Sequence, residues 1–239
     1  MIHFSIEQWQ AWAPGIESSD DWARWSDAPF VPERLDTQPA VAFLPAMQRR
    51  RLSRLARMTF AVAWPLAEGR APMPLVFASR HGETPRNFEL LSDLARQEAL
   101  SPTQFSLSVH NAIIGLWSIM RGDASEMTAI AAARDGLEHG LLEAALLLAD
   151  GHPEVLLVVA EDAQPEPYQP WIDDAPFPHA LALRLVAGRQ WSLSQRPAEP
   201  DAVPAAWPHA LQLVRALSGR TDQLNHATDR RQWLWQQQP

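Results

Sequence analysis

Apolar residues along this chain form short unbroken runs that alternate with longer stretches of helical spacing. The short runs are Pro74–Ser79, Met127–Ala133 and Val155–Ala160, each followed by a polar turn, as expected for buried strands. Between them lie Pro85–Ala99, with its apolar residues on one side, and Leu137–Ala149, which is apolar almost all round and predicts a buried central helix. Strands that alternate with helices predict an α/β domain with a mixed, mostly parallel sheet.

Further elements are predicted around these runs. Ile2–Ile6 alternates as a short strand, and Ala46–Leu66 has the spacing of a helix. The apolar residues of that helix share one face: Met47, Leu52, Leu55, Met58 and Val62. Phe105–Met120 predicts another helix, which follows N-cap chemistry at Leu100–Thr103 and stops at Gly122.

The pattern changes in the last third of the chain, where prolines become frequent. His179–Ala187 and Trp191–Gln195 are predicted to form a hairpin, and His209–Leu217 a short helix. We therefore expect an α/β domain over residues 1–195, followed by a proline-rich linker and a short helical extension over residues 196–239.

Composition and charge exclude several functional classes. The 239 residues carry 28 acidic and 20 basic side chains, for a net charge of −8, which argues against nucleic acid as a partner. Cysteine is absent, so a thiol nucleophile is excluded; lysine is absent too, so every basic residue counted is an arginine. No apolar run approaches the roughly 20 residues of a membrane span, and the first residues do not resemble a secretion signal. We expect a cytoplasmic protein.

Five arginines within nine residues form the one basic concentration of this acidic chain. They are Arg49, Arg50, Arg51, Arg54 and Arg57. Two interpretations remain open, a solvated helix face and a docking surface for an acidic partner.

Conventional catalytic patterns are weak. The turn Arg80-His81-Gly82-Glu83 suggests either acid–base chemistry or a strand-to-helix turn. Ser106, Ser108 and His110 are close in sequence, but side chains two apart on a helix point about 200° apart and do not meet. The histidines lack zinc-binding spacing, so no metal or cofactor is expected, and His139 is interpreted as a buried histidine.

Three stretches in the same order resemble β-ketoacyl synthases. They are Leu100–Gly122, Met127–Ala133 and Asp135–Ala160. A short branch is more similar still, the ketosynthase-like chain length factors of aryl polyene clusters, to which Leu100–Gly115, Ala46–Met58 and Phe77–Glu83 are similar. The resemblance covers about residues 1–195 and implies a thiolase-like fold, restricted to the N-terminal half of a ketosynthase.

The same resemblance places the family's nucleophilic cysteine at Arg134, or one residue earlier at Ala133. A permanently protonated guanidinium cannot attack a thioester. The histidine motifs of the second ketosynthase half are missing too, so no catalytic residue is assigned. The resemblance implies a non-catalytic subunit that forms a heterodimer with a β-ketoacyl-ACP synthase and helps to elongate acyl or polyene chains on acyl carrier protein. An acyl-transfer or decarboxylase enzyme with a noncysteine mechanism, and a plain scaffold, remain alternatives.

Site residues follow from the resemblance as expectations. Met127, Ile130 and Ala132 lie on the strand expected to pair across the dimer axis. The candidates for the partner's acyl tunnel are Gln104, Phe105, Phe88 and Leu91, although Phe105 has core packing as an alternative. The candidates for docking carrier protein or partner are Arg49, Arg50, Arg54 and Arg57.

Overall fold

A seven-stranded sheet with helices on both faces makes up the computed structural model, which describes residues 1–172, 175–199 and 203–238. The strands are β1 (Ile2–Trp12), β2 (Leu75–Ala78), β3 (Met127–Ile130), β4 (Val155–Glu161), β5 (His179–Pro197), β6 (Gln223–Ala227) and β7 (Arg231–Gln237). The helices are α1 (Ser19–Asp27), α2 (Ala46–Arg49), α3 (Arg54–Ala67), α4 (Thr84–Ala95), α5 (Pro102–Ser106), α6 (Ala112–Arg121), α7 (Gly136–Ala149) and α8 (His209–Leu217), with a 3-10 helix at Glu166–Trp171.

The sheet is mixed, as predicted. Its order is β3-β2-β4-β5-β7-β6, with β1 also paired to β5. Parallel pairing is confined to β3, β2 and β4, the three strands predicted from unbroken apolar runs, and the other pairs are antiparallel. Strand β3 lies at one edge of the sheet.

Two apolar cores flank the sheet. One contains side chains of α7 and α8 and the indoles of α1, while the other lies under α3 and α6. Helix α7 buries Leu137, Leu141 and Ala144 against the sheet. Its outer side is less enclosed than its all-round apolar sequence predicts, since Leu146 is 63% exposed.

The structure has one long strand, β5, where the sequence predicts a hairpin. The chain runs through Gly188 without reversing, and the register against β1 jumps from the pair Phe4–Trp191 to the pair Ser5–Val186. A Cβ on Gly188 would lie 2.0 Å from Ser5 Oγ, so only glycine permits this close approach. The predicted turn is therefore a bulge in one long strand.

The end of the chain holds more structure than the sequence indicated. Helix α8 is present as predicted, but β6 and β7 then form an antiparallel hairpin that pairs with the second half of β5. Trp233 and Trp235 of β7 are buried in the same core as α7. The division at residue 195 stays a prediction, although that boundary falls inside β5.

Two predicted helices are each divided in the structure. Ala46–Leu66 becomes α2 and α3, because the hydroxyl of Ser53 accepts a 3.1 Å bond from the amide of Ala56 and starts a new helix. Met47 is consequently 77% exposed rather than part of the apolar face. Phe105–Met120 is likewise divided into α5 and α6, and α6 ends as expected at Gly122 with a φ of 63°.

None of the helices within the described ranges is long and apolar enough to cross a membrane.

Candidate functional site

A cleft opens where β2 and β4 end and α7 begins, and it contains the position predicted for a nucleophile. Its volume is about 800 Å³, including the open solvent at its mouth. Both Ala133 and Arg134 line it, together with Ala78, Gly136, Leu137, Val159, Glu161, Pro176, His179, residues 204–210 and Ala227. Residues 204–210 belong to the segment that leads into α8, so the C-terminal part of the chain forms one wall.

The first turn of α7 is held by the C-terminal hairpin. Asp135, the N-cap residue, is buried, and its carboxylate accepts a 3.1 Å bond from Trp233 Nε1 and lies 3.3 Å from Arg231 Nε. His139 is only partly buried, contrary to the prediction, and its Nε2 is 3.1 Å from Arg231 NH1. Arg134 itself is exposed at the cleft.

Beneath this turn lies a fully buried carboxylate, that of Glu138. It accepts bonds from three side chains of the C-terminal segment: His209 Nδ1 at 2.9 Å, His226 Nδ1 at 2.6 Å and Trp235 Nε1 at 3.1 Å. The two imidazole rings stack with centroids 4.0 Å apart and planes 20° apart. We call these four residues the Glu138 cluster; it ties α7 to α8, β6 and β7.

Charge in the Glu138 cluster is set by opposing effects. Burial alone would raise the pKa of Glu138, but attraction and hydrogen bonds from His209 and His226 outweigh it and hold that pKa well below its usual range. Burial lowers the pKa of His226, against the opposing pull of Glu138. Burial and pairing therefore oppose each other at both residues, with pairing the stronger effect on the pKa of Glu138 and burial the stronger effect on that of His226.

The same side chains have the ligand types of a zinc site. One oxygen of Glu138 and one nitrogen from each histidine lie within 4.8 Å of one another. However, an imidazole lone pair lies in the plane of its ring, and these rings are nearly parallel. The two Nδ1 atoms therefore do not converge on one point, and the arrangement fits hydrogen bonds to the two carboxylate oxygens better than a shared cation.

A second, polar cleft brings together two groups of predicted residues. Gln104, a tunnel candidate, faces Arg50 and Arg54, both docking candidates, across a space that Glu83 and Asp162 also line. The cleft lies between the first turns of α3 and α4.

The carboxyls of this polar cleft are held by their neighbours. Arg54 Nε lies 2.7 Å from Asp162, Ser53 Oγ donates to Glu83 at 2.6 Å, and Arg86 bonds to both Glu83 and Gln104. Burial raises the pKa of Glu83 and of Asp162, against the opposing effects of these partners.

The arginine concentration does not form one solvated helix face. Arg57 donates to the carbonyl of Arg49 at 2.8 Å, and Arg54 is engaged with Asp162. Arg50 and Arg51 are exposed. Only part of the predicted docking set is therefore presented to a partner.

The tunnel candidates lie on an outer surface formed by α4 and α5. Phe105 is 64% exposed, so its interpretation as a core residue is wrong. Leu91 is also exposed, whereas Phe88 is partly buried and packs edge-on against Tyr168 at 5.5 Å. Gln104 is exposed and accepts its bond from Arg86. Their role in a tunnel stays a prediction.

The predicted interface residues are at the open edge of the sheet. Met127 and Ile130 are on β3, which pairs with β2 on one side and with no other described strand, and Ala132 follows the end of the strand. All three are half-buried. Pairing across a dimer axis stays a prediction.

The remaining polar candidates do not form a catalytic group. Ser106 and Ser108 donate to backbone carbonyls one turn back, and His110 Nε2 contacts the carbonyl of Ser79 at 2.7 Å. The turn after β2 leads into α4 as predicted, and its backbone amide at His81 donates to Glu161 at 3.3 Å.

The chain is similar to known proteins in sequence and in structure. The family model described as "Beta-ketoacyl synthase, N-terminal domain" matches residues 22–236. No protein of curated function matches the sequence.

Three solved structures show the range of similarity. A chain in the structure of a ketosynthase (ApeO) in complex with its chain length factor (ApeC) from Xenorhabdus doucetiae is 30% identical, with 99% of this chain and 100% of that chain covered and a TM-score of 0.89. The ishigamide ketosynthase/chain length factor is 13% identical, over 83% of this chain and 68% of that one, with a TM-score of 0.62. A β-ketoacyl synthase from Burkholderia phymatum STM815 is 10% identical, over 93% and 71%, with a TM-score of 0.61. The predicted thiolase-like fold is confirmed.

Proposed function

Because this chain belongs to the β-ketoacyl synthase N-terminal domain family, we propose that it is a non-catalytic chain length factor that dimerises with a separate β-ketoacyl-ACP synthase. The pair would elongate acyl or polyene chains carried on acyl carrier protein, in the cytoplasm as predicted from the sequence. Aryl polyenes are the product class that the sequence resemblance favours.

One observation carries this proposal. The chain has no cysteine, and the described residues that line the cleft around Arg134 include no serine, threonine or tyrosine either. A condensing enzyme needs a nucleophile that can form a thioester with the growing chain. A ketosynthase scaffold without one fits a subunit that shapes the reaction of its partner.

The cleft also bears on the enzymatic alternative. An acyl-transfer enzyme with a noncysteine mechanism would need a nucleophile next to a base. His179 and His209 supply bases, but no described residue of the lining supplies a hydroxyl or thiol. This alternative therefore lacks its covalent step at the position where the family would perform it.

The test combines co-purification with a condensation assay. The chain is co-expressed with the ketosynthase encoded nearest to it, and the mass of the complex is measured. Labelled malonyl–carrier protein is then supplied to each protein alone and to the pair. We expect a one-to-one complex that elongates, and no product from this chain alone. Elongation by this chain alone would refute the non-catalytic role, and equal products with and without it would favour a plain scaffold.

A further inference from the structure

The exposed side chain of Gln104 is held by a chain of hydrogen bonds that begins at α3. Ser53 Oγ, at the N-cap of α3, donates to one carboxyl oxygen of Glu83 at 2.6 Å. The other oxygen of Glu83 accepts a bond from Arg86 Nε at 3.2 Å, and Arg86 NH1 donates to Oε1 of Gln104. These bonds connect the start of α3 to the outer surface where the tunnel candidates lie.

Arg86 is held in place because its surroundings enclose it. The side chains of Arg86 and Glu83 are only 12% and 4% exposed. A guanidinium presents its donors in a rigid plane, so the bond to Glu83 fixes the direction of the bond to Gln104. Arg96, near the other end of α4, is an exposed arginine whose bonds go to Asp93 and Glu98 instead. Arg86 is therefore a rigid link, whereas Arg96 forms ordinary surface pairs.

This link determines how the amide of Gln104 is oriented. An arginine side chain has donors and no acceptor, so the oxygen of the amide must face Arg86. The NH2 group is then left on the side of the amide away from that bond. Gln104 is exposed, and no described residue accepts a bond from this NH2 group. It is a donor that a group on another subunit can use.

Helix α5, which carries Gln104, is attached by separate contacts. Asn87 Nδ2 donates at 3.0 Å to the carbonyl of Ser108, which lies just after α5. At the other end, the N-cap residue Ser101 accepts a 3.3 Å bond at Oγ from the backbone amide of Gln104. Neither contact involves Arg86, so a change at Arg86 should release the side chain of Gln104 without displacing α5.

We propose that Arg86 is a positioning residue, which orients the amide of Gln104 toward the ketosynthase partner and thereby helps to set product length. This inference rests on the proposed function and on Gln104 reaching the partner's acyl tunnel. An amide held in place before the partner binds loses less conformational entropy when the contact forms. A side chain that rotates freely closes a tunnel less completely, so acyl chains should grow longer before extension stops.

The experiment compares Arg86→Lys, Gln104→Ala and the double variant, each co-purified with the ketosynthase and supplied with labelled malonyl–carrier protein. Lysine keeps a positive charge beside Glu83 but lacks the planar fork that fixes two partners. We expect Arg86→Lys to shift the products to longer chains, as Gln104→Ala does, with little change in unfolding temperature. The double variant should match Gln104→Ala, because Arg86 acts through that amide. The matched control Arg96→Lys should give unaltered products.

Three results would overturn this inference while the pair still elongates: unaltered products from Arg86→Lys, an equal shift from Arg96→Lys, or a double variant that exceeds Gln104→Ala. Absence of product from the unmodified pair would instead refute the proposed function, and this inference with it. Should Arg86→Lys not fold, Gln104→Glu decides the matter at an exposed position. A glutamate keeps the bond to Arg86 but has no NH2 group, so we expect longer products, and unaltered products would overturn the inference.

Discussion

At the scale of single residues, the proposed role depends on a few side chains. The resemblance places the family's nucleophile at Arg134 or Ala133, and both line the cleft. Phe105 and Gln104 are exposed on α5. An aromatic ring exposed to water has an unfavourable hydration free energy, which is relieved when another surface covers the ring. The outward direction of Phe105 therefore fits a residue that acts in a neighbouring subunit.

Replacing Gln104 and Phe105 by alanine tests that role. If the pair forms the floor of the partner's acyl tunnel, the double variant should give longer products, because a smaller floor admits more of the chain. Product length is measured by mass spectrometry with the ketosynthase present. Since Phe105 is largely exposed, the variant should lose far less stability than the roughly 3–5 kcal/mol of a buried phenylalanine. An unaltered product spectrum from a stable complex would remove both residues from the tunnel.

His226 gives the protein a predictable response to acid. Its pKa is lowered by burial, so below about pH 6.5 the unfolded chain binds a proton at this residue that the folded chain does not. Stability should fall from pH 7.5 to 5.5, and His226→Gln should reduce that fall by roughly 1 kcal/mol. Urea unfolding at both pH values measures the difference.

Other carboxyls do not obscure this comparison. Glu138 has a lowered pKa, so its contribution to stability is lost as the pH falls from the usual range of a glutamate pKa to lower values, outside this interval. Glu83 and Asp162 have raised pKa values, but they are distant from His226 and contribute equally to both proteins. Equal pH dependence of the two proteins would contradict the assignment to His226.

At the scale of elements, the arginines around α2 and α3 fall into two groups. Arg50 and Arg51 are exposed, whereas Arg54 is partly buried against Asp162. We expect Arg50→Glu with Arg51→Glu to weaken binding of the acidic carrier protein and to flatten its salt dependence. Affinity at low and high salt measures both effects, with Arg189→Glu, at another exposed arginine, as the control.

Arg54→Glu should behave differently, because it leaves the buried Asp162 without its cation. Loss of one partner of such a pair typically costs about 3–5 kcal/mol, reduced here because Arg54 keeps some solvent contact. Thermal unfolding should therefore show a clearly lower unfolding temperature for Arg54→Glu and little change for the Arg50→Glu, Arg51→Glu variant. If the Arg50→Glu, Arg51→Glu variant binds carrier protein at low salt as tightly as the unmodified protein does, the surface around Arg50 and Arg51 is an ordinary solvated one.

Strand β3 is the element proposed to join two subunits. Its outer edge pairs with no described strand, and Ile130 is half-buried on it. Ile130→Asp should dissociate the complex with the ketosynthase, as measured by light scattering during gel filtration. Leu146→Asp introduces the same charge on the exposed side of α7 and should leave the complex intact. Dissociation by both variants, or by neither, would count against the edge as the interface.

How far these elements could be predicted depended on their sequence signal. Strands β2, β3 and β4 lie in short apolar runs, so their parallel pairing could be predicted. The expected burial holds for β2 and β4 and is wrong for β3, which is half-buried because it lies at the edge of the sheet. The division at Ser53 could not, because apolar periodicity continues across it. Strands β6 and β7 were missed since Gln223–Ala227 and Arg231–Gln237 are rich in polar residues and partly lack alternation. Glycine is frequent in turns, so Gly188 suggests a turn in the sequence. Only the register between β1 and β5 identifies it as part of a bulge.

At the scale of the whole molecule, the candidate site depends on contacts between distant parts of the sequence. The position of Arg134 followed from a resemblance in local sequence, and the structure places it in a cleft. The Glu138 cluster has no local signal, because His209 and His226 lie 71 and 88 residues further along the chain. Glu138, one of a few ionisable residues in a mostly apolar helix, gave only a weak indication.

The Glu138 cluster also has a consequence for the order of biosynthesis. A ribosome adds Glu138 well before it adds His209, His226 and Trp235, so the nascent α7 carries a carboxylate whose partners do not yet exist. Burying that carboxylate unpaired is costly, and water must remain in contact with it until the last hairpin has left the exit tunnel. The native seating of α7 is consequently a late event, which follows the emergence of Trp235 from the exit tunnel.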